Sequence, residues 1–334
     1  MATTVNPMRS IYTKLSNTGY KKSFVQSLLP EWWDDDIATS PSGIQHASLV
    51  LGKLLSVRPE TLWSEQVSIA LSIPSERKFK HRAGTNENAL DIACAIAYSA
   101  ARLALRAFTH EYRPELIVDA AQLRSKIVSQ NTWVGLAEIL KYCTEIGIPI
   151  LYLSHFPSGT KKMDGLAFEV DGRPVIALTV SKKHGYLAFD LAHELGHIAL
   201  GHVTGNKCVI DQKIDRESED EDEKSANRFA LELLTGTPDC KIVPTGRNLN
   251  GQELAAAALR YGTNNKVDPL HVILNYGYAT GHWGSANIAL SKLAGNEPDD
   301  QTLVNSILFS NIDSEHLSDD DLITLKKFSG IVDR

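Results

Sequence analysis

Apolar residues recur at helical spacing along most of the chain. One predicted helix spans residues 43–57, and its apolar face carries Ile44, Ala47, Leu51 and Leu55. This spacing matches the 3.6-residue period of an amphipathic helix. An alanine-rich segment at residues 89–104 and an apolar stripe at residues 133–140 continue the pattern. Most of the first 147 residues are therefore predicted to be helical.

The apolar period changes after Gly147. Residues 148–153 form a short apolar run, which is typical of a buried strand. Two further runs, at residues 165–170 and 175–180, flank the pair Asp171-Gly172. An Asp-Gly pair between two such runs predicts a β-hairpin.

Two helices are predicted after the hairpin, at residues 186–200 and 223–234, and the C-terminal hundred residues are again mostly helical. The expected fold is α+β and mostly helical. A small sheet packs on the 186–200 helix, between helical N-terminal and C-terminal parts.

Changes in composition divide the chain into four segments. Residues 1–75 are punctuated by prolines and predict a small helical domain, which could be helix-turn-helix-like. Residues 76–88 are predicted to be a linker. Its basic cluster is interpreted as a solvated surface and consists of Arg77, Lys78, Lys80 and Arg82. Residues 89–240 hold the predicted sheet, and residues 241–334 form a helical C-terminal region.

The net charge of −6 is a local property of one segment. Residues 211–223 contain eight acids and two bases, so the rest of the 334-residue chain is neutral. A neutral remainder argues against a generally basic nucleic-acid binder. Hydrophobic residues make up 43% of the chain, which excludes a disordered protein.

No segment predicts export or membrane insertion. The most apolar stretch, at residues 89–105, contains Asp91 and Arg102 and is shorter than the roughly 20 residues of a membrane span. The N-terminus lacks the pattern of a signal peptide. The four cysteines form no CxxC pair, which disfavours a disulfide scaffold. A cytoplasmic protein is predicted.

The strongest chemical signal is the HExxH motif at residues 193–197. His193 and His197 lie one helical turn apart on one face, so both imidazoles can reach one metal ion. Glu194, beside this face, is placed to act as general base toward a metal-activated water. The bare motif also fits two ordinary histidines, but Gly196, which costs a helix about 1 kcal/mol, indicates close packing there.

A third ligand is available 26 residues after the motif. Glu223 opens the predicted 223–234 helix, and catalytic zinc usually takes three protein ligands and leaves one position for water. Asn227, one turn later, could orient a ligand by a hydrogen bond. His202 competes as third ligand but is disfavoured, since it falls about 140° off the ligand face of a continued helix. The other acids of the run are interpreted mostly as solvated.

Two segments together resemble the ImmA/IrrE family of zinc metallopeptidases. The first is Ala192-His193-Glu194-Leu195-Gly196-His197-Ile198-Ala199-Leu200-Gly201-His202, and the second is Glu223-Lys224-Ser225-Ala226-Asn227-Arg228-Phe229-Ala230. The resemblance covers roughly residues 87–290. It implies a zincin-like domain at residues 89–240, Zn²⁺ held by His193, His197 and Glu223, and Glu194 as catalytic base. Ser225 and the Thr235-Gly236 pair depart from the family pattern and leave the substrate open.

The resemblance also implies a function and a partner. Family members often carry an Xre-type helix-turn-helix domain before the peptidase. The leading hypothesis is a zinc-dependent endopeptidase that hydrolyses a peptide bond in a regulatory protein, an Xre-type repressor or antitoxin. The alternative is a regulator or toxin-like module that binds a partner protein or DNA, with cleavage secondary or absent. The neutral charge of the N-terminal region does not favour DNA.

Three further features stay open at this level. The strand at residues 175–180 could present its edge to an extended peptide or lie inside the sheet. The patch at residues 32–36 could form an interdomain contact. Six side chains could stabilise an oxyanion, although each also fits packing or surface roles: Tyr186, Tyr261, Tyr276, Tyr278, His271 and His282.

Overall fold

The structure is a computed structural model, and it describes residues 6–64, 67–74, 76–80, 88–205, 207–215, 218–295 and 299–331. Of residues 76–80, 88 and 89 it describes the backbone alone. The α-helices of these residues are α1 (Pro7–Thr18), α2 (Lys22–Leu28), α3 (Pro41–Leu55), α4 (Pro59–Trp63), α5 (Asn88–Ala107), α6 (Ala120–Val128), α7 (Leu136–Glu145), α8 (Tyr186–Ala199), α9 (Glu221–Thr235), α10 (Gly251–Asn265), α11 (Pro269–Thr280), α12 (Trp283–Ala294), α13 (Asp300–Ser310) and α14 (Asp319–Phe328). The strands are β1 (Glu76–Lys80), β2 (Ile150–Tyr152), β3 (Gly165–Val170), β4 (Arg173–Leu178) and β5 (Lys207–Asp211).

The N-terminal helices begin where the sequence supplies caps. Asn6 and Ser40 each accept a hydrogen bond from a backbone N–H of the helix that follows, and each precedes a proline. Proline suits the first helical position because its missing N–H has no intrahelical acceptor there. The buried faces of α1–α4 share one apolar cluster with α5 and with residues of the sheet. The described residues of α1–α4 therefore share their apolar core with α5 and the sheet.

The strands of the described residues form a five-stranded sheet in the order β1-β5-β3-β4-β2. β3 pairs antiparallel with both β4 and β5, whereas β1 pairs parallel with β5 and β2 pairs parallel with β4. The predicted hairpin is β3–β4. Residues 76–80 lie in the segment predicted as a linker, but they form a sheet strand; residues 81–87 of that segment lie outside the described residues.

Alternating side chains send the two faces of the sheet into two cores. Leu166, Phe168 and Ile210 face the cluster that contains α5 and the N-terminal helices. Ala167, Ile176 and other residues of the opposite face join a second cluster with α7, α8 and α9. This alternation is what the period of two in a strand dictates. The sheet therefore supports α8, the helix that carries the HExxH motif, as the fold prediction stated.

The C-terminal hundred residues divide between two locations. Helices α10, α11 and α12 form a third apolar cluster. The chain then returns to the sheet, where the Asn305 side chain of α13 bonds both the backbone N–H and the carbonyl of Tyr152 in β2. Among the described residues, no helix combines the length and apolar character that crossing a membrane requires.

The patch at residues 32–36 contacts both ends of the chain. The Trp32 indole N–H donates to Asp320 of α14 over 2.8 Å, and the Tyr12 hydroxyl donates to Asp35 over 2.6 Å. Beside it, Lys53 and Arg106 both pair with the buried Asp321 carboxylate. These polar contacts fix α14 against α3 and α5.

Candidate metal centre

The two motif histidines lie on the buried face of α8. This helix is buried from Leu187 to Ile198, and Gly185, at a φ of 87°, makes the turn into it. The Nε2 atoms of His193 and His197 are 3.0 Å apart, and both side chains have no solvent exposure. The one-turn spacing thus brings two imidazole lone pairs to one point inside the protein.

Glu223 reaches the same point from the first turn of α9. The Asp220 side chain caps this helix by accepting hydrogen bonds from the backbone N–H groups of Asp222 and Glu223. The Glu223 carboxylate oxygens lie 3.4 Å from His193 Nε2 and 3.4 Å from His197 Nε2.

Close packing of α8 and α9 depends on Gly196. A Cβ atom at this position would lie 3.2 Å from Phe229 Cβ and 3.3 Å from the Cα of Ala226. The close approach of the two helices explains why the mid-helix glycine is present despite its cost in helix propensity. It also sets the distance across which Glu223 meets the histidines.

Asp211 is a fourth potential ligand at this point, and the sequence pattern did not indicate it as one. It is the last residue of β5, it has no solvent exposure, and its Oδ2 atom lies 3.5 Å from His193 Nε2 and 3.6 Å from His197 Nε2. The acidic run made it look like a loop residue. The apolar triplet Cys208-Val209-Ile210 before it was the signal for a buried strand ending at Asp211.

One ligand atom from each of His193, His197, Asp211 and Glu223 lies within 4.8 Å of the others. Burial alone lowers the pKa of His193, but hydrogen bonds and charge from Asp211 and Glu223 outweigh it and raise that pKa to about 9. Burial raises the pKa of Glu223, yet its hydrogen bonds to the two histidines hold it well below the usual value. Buried carboxylates facing imidazole nitrogens are a donor set that suits zinc.

Two side chains contact the Nδ1 atoms of the two motif histidines, on the opposite side of each ring from Nε2, and orient the imidazoles. The amide oxygen of Asn227 lies 3.1 Å from His193 Nδ1, and its amide nitrogen donates to the carbonyl of Asp215 over 2.9 Å. His202 Nδ1 lies 2.9 Å from His197 Nδ1, on the side away from Nε2. His202 is therefore placed to orient His197, and its nitrogen is not part of the donor cluster.

Glu194 points to the sheet beside the donor cluster. A Cβ on Gly165 of β3 would lie 1.9 Å from Glu194 Oε1, so the absence of a side chain there makes room for the carboxyl group. Gly165 and Asp211 are cross-strand neighbours. Burial and then the charge of Asp211 raise the pKa of Glu194 well above its usual value.

A cavity of about 650 Å³ adjoins the cluster, with Asp190 of α8 and Gln212 after β5 in its lining. Lys182, on its wall, pairs with Asp164 over 2.9 Å and with Asp190 over 2.7 Å. The cavity reaches the HExxH helix at Asp190, about one turn before His193.

The structure brings two of the six candidate oxyanion donors to this cavity, namely Tyr186 and Tyr278. Elsewhere, His271 is buried with its ring stacked on Phe189, and the Tyr276 hydroxyl accepts a hydrogen bond from a backbone N–H. The strand at residues 175–180 does not offer a free edge, because β4 lies between β3 and β2. Of the two alternatives left open for this strand, the structure has the internal one.

A family model described as Peptidase_M78, IrrE N-terminal-like domain, matches residues 143–256. The matched segment starts in α7, ends in α10 and contains all four donor residues together with Glu194. The match confirms the predicted resemblance, over a shorter stretch than expected. No curated protein and no solved structure matches the chain.

Proposed function

We propose, on the premise that residues 143–256 are an IrrE N-terminal-like domain of the Peptidase_M78 family, that the protein is a zinc-dependent endopeptidase. The observation that carries the proposal is the cluster of His193, His197 and Glu223 donor atoms with Glu194 beside it. Two imidazoles and one carboxylate form the ligand set of several zinc peptidases.

Three residues would hold the metal ion, and Glu194 would transfer the proton. His193 and His197 would hold the ion through Nε2, each oriented by the partner on its Nδ1, and Glu223 would hold it through its carboxylate. When bound, zinc supplies Lewis acidity, which polarises a carbonyl group and makes water a stronger nucleophile at neutral pH. Glu194 takes the proton of the attacking water at its carboxylate and passes it to the leaving amine.

The surroundings of Glu194 support a link between the proposed base and the cation. Without a cation, burial and the neighbouring Asp211 charge favour the protonated form of Glu194, which cannot accept a proton. A divalent cation adds positive charge at the cluster and lowers the pKa of a nearby carboxyl group. In this proposal zinc binding therefore favours the deprotonated form of Glu194, which can act as general base.

The substrate we propose is a regulatory protein, an Xre-type repressor or antitoxin, and its cleaved segment would enter through the cavity beside α8. Tyr186 and Tyr278 line this cavity and can offer hydroxyl groups to the carbonyl oxygen under attack. The wall carries lysines and carboxylates, which can recognise the charged side chains of a peptide.

Co-expression with a helix-turn-helix protein encoded beside this gene tests the proposal. Wild type is expected to produce new termini in that protein by mass spectrometry, whereas Glu194→Gln, purified with the same zinc content, leaves it intact. Glu221→Gln, which changes an exposed glutamate of α9, is the matched control and should cleave like wild type. Wild type that binds no zinc, or Glu194→Gln that cleaves at the wild-type rate, would overturn it.

The second candidate is a partner-binding module in which cleavage is secondary or absent. The observation favouring it is the complete burial of His193, Glu194 and His197, which keeps a peptide away from them in this conformation. A stable complex in the same co-expression experiment, with no new termini from wild type, would support it. A DNA-binding version requires an affinity that falls with salt concentration.

A further inference from the structure

We infer that Asp211 is a fourth protein ligand of the metal, so that the centre in this conformation is a closed set of two histidines, one aspartate and one glutamate. The inference rests on the proposed zinc binding and adds a ligand to it. It implies that the described state is latent and that hydrolysis requires Asp211 to leave the metal.

The two imidazole nitrogens lie from each other, and from the carboxylates of Asp211 and Glu223, at about the distances of neighbouring vertices around one ion. Zinc bonds of about 2.0–2.1 Å in a tetrahedron place neighbouring donor atoms about 3.3 Å apart. The Nε2 atoms of His193 and His197 are 3.0 Å apart, and each lies 3.4 Å from an oxygen of Glu223. Asp211 Oδ2 lies 3.5 and 3.6 Å from the same two nitrogens. The Asp211 oxygen thus lies near the tetrahedral donor separation from both nitrogens, as the Glu223 oxygens do.

The buried surroundings of Asp211 favour a bound cation. Its side chain has no solvent exposure, and its carboxylate faces the imidazoles of His193 and His197 and the carboxyl group of Glu194. A buried carboxylate is costly unless it pairs with a charge or coordinates a metal. Its nearest nitrogens, those of His193 and His197, are the ones that must give their lone pairs to zinc.

Strand pairing holds Asp211 in this position. It lies opposite Gly165 of β3 and beside Lys80 of β1, and its carbonyl accepts a hydrogen bond from the backbone N–H of Asp164 over 2.8 Å. The Asp164 carboxylate also accepts a hydrogen bond from the N–H of Ile214, three residues after Asp211. Displacing the carboxylate therefore requires a rotamer change or a shift at the end of β5.

Four protein ligands leave no coordination position open on the ion, whereas three ligands leave one. Structural zinc sites are closed by four protein ligands, whereas catalytic sites keep one position for water or substrate. If Asp211 fills that position, a small anion cannot reach the ion in wild type. Removing the aspartate opens the position and weakens zinc binding at the same time.

The experiment compares metal binding in wild type, Asp211→Ala and Glu219→Ala. Glu219 is an exposed acid of the same segment and is the matched control. Zinc affinity, measured by competition with a chromogenic chelator, should fall on the order of 100-fold in Asp211→Ala, since one of four ligands is lost. The visible spectrum of the Co²⁺-loaded protein should change on adding azide in Asp211→Ala, and stay unchanged in wild type and Glu219→Ala.

The inference is overturned if Asp211→Ala binds zinc as tightly as wild type, or if azide changes the Co²⁺ spectrum of wild type equally. Asp211→Asn, of the same size and without charge, serves if the alanine variant does not fold, and it should give the same shifts. The proposed function fails differently: wild type binds no zinc, or His193→Ala binds it as tightly. Zinc bound through His193 with no contribution from Asp211 therefore contradicts this inference alone.

Discussion

Replacing Lys182 by methionine removes a cation that pairs with two carboxylates on the cavity wall. Its side chain is 16% exposed, and its ammonium group pairs with Asp164 over 2.9 Å and with Asp190 over 2.7 Å. Breaking a buried ion pair by removing one partner typically costs about 3–5 kcal/mol. Some solvent reaches Lys182, so we expect about 3 kcal/mol at pH 8, the lower end of that range.

The cost depends on pH through Asp190. Burial raises the pKa of Asp190 to about 6, although Lys182 opposes the shift. A carboxyl group with a raised pKa binds more protons in the folded state, so its contribution to stability falls as pH rises from about 4 through 6. Without Lys182 the pKa of Asp190 rises further, so its contribution to stability continues to fall up to a higher pH. The variant should therefore lose about 1 kcal/mol less at pH 5 than at pH 8.

Urea unfolding of the metal-free protein at pH 5 and pH 8 measures this difference without a contribution from bound zinc. Lys183→Met is the matched control, because Lys183 is exposed and its ammonium donates to Asn287 rather than to a carboxylate. It should shift the midpoint little at either pH. Equal destabilisation by the two variants, or a larger loss at pH 5 than at pH 8 for Lys182→Met, would refute the reasoning.

Three further outcomes test the centre. Gly165→Ala places a Cβ 1.9 Å from Glu194 Oε1, and moving the carboxyl group about 1.5 Å to ordinary contact should lower the cleavage rate on the order of 100-fold while zinc content stays unchanged. Asn227→Ala removes the group that orients His193 and should weaken zinc affinity about 10–100-fold in chelator competition, with no change in Asn287→Ala. Zinc at about 100 times its dissociation constant should stabilise wild type by about 2.7 kcal/mol in thermal unfolding, and His193→Ala should lose this gain.

The elements that the sequence predicted are those whose signals are local. The apolar period of the HExxH helix lies within about fifteen residues, and so do the two apolar runs and the turn of the β3–β4 hairpin. Glu223 was identifiable because it lies at the start of a helix with its own apolar stripe, and Asn227 because it lies one turn later. Helical spacing alone gives the direction of these side chains.

The parts that the sequence did not predict depend on pairing between distant segments. β1 consists of residues 76–80, which are mostly charged, and only its partner β5, about 130 residues later, makes it a strand. Strand pairing is set by tertiary context more than by local propensity. The same context buries Asp211, whose neighbours in sequence look like the start of a solvated loop.

The acidic run shows how local charge can hide a site. Asp211 and Glu223 stand at its two ends and are buried, whereas Asp215, Glu219, Asp220 and Glu221 between them are exposed. Buried carboxylates are costly unless they pair with a charge or coordinate a metal, and in the proposed centre a single divalent cation would face both of them. In the proposed centre this cation would offset the charge of the two buried acids, while water solvates the exposed acids between them. The run is thus better understood as two buried acids joined by a segment that carries exposed acids than as a uniform acidic surface.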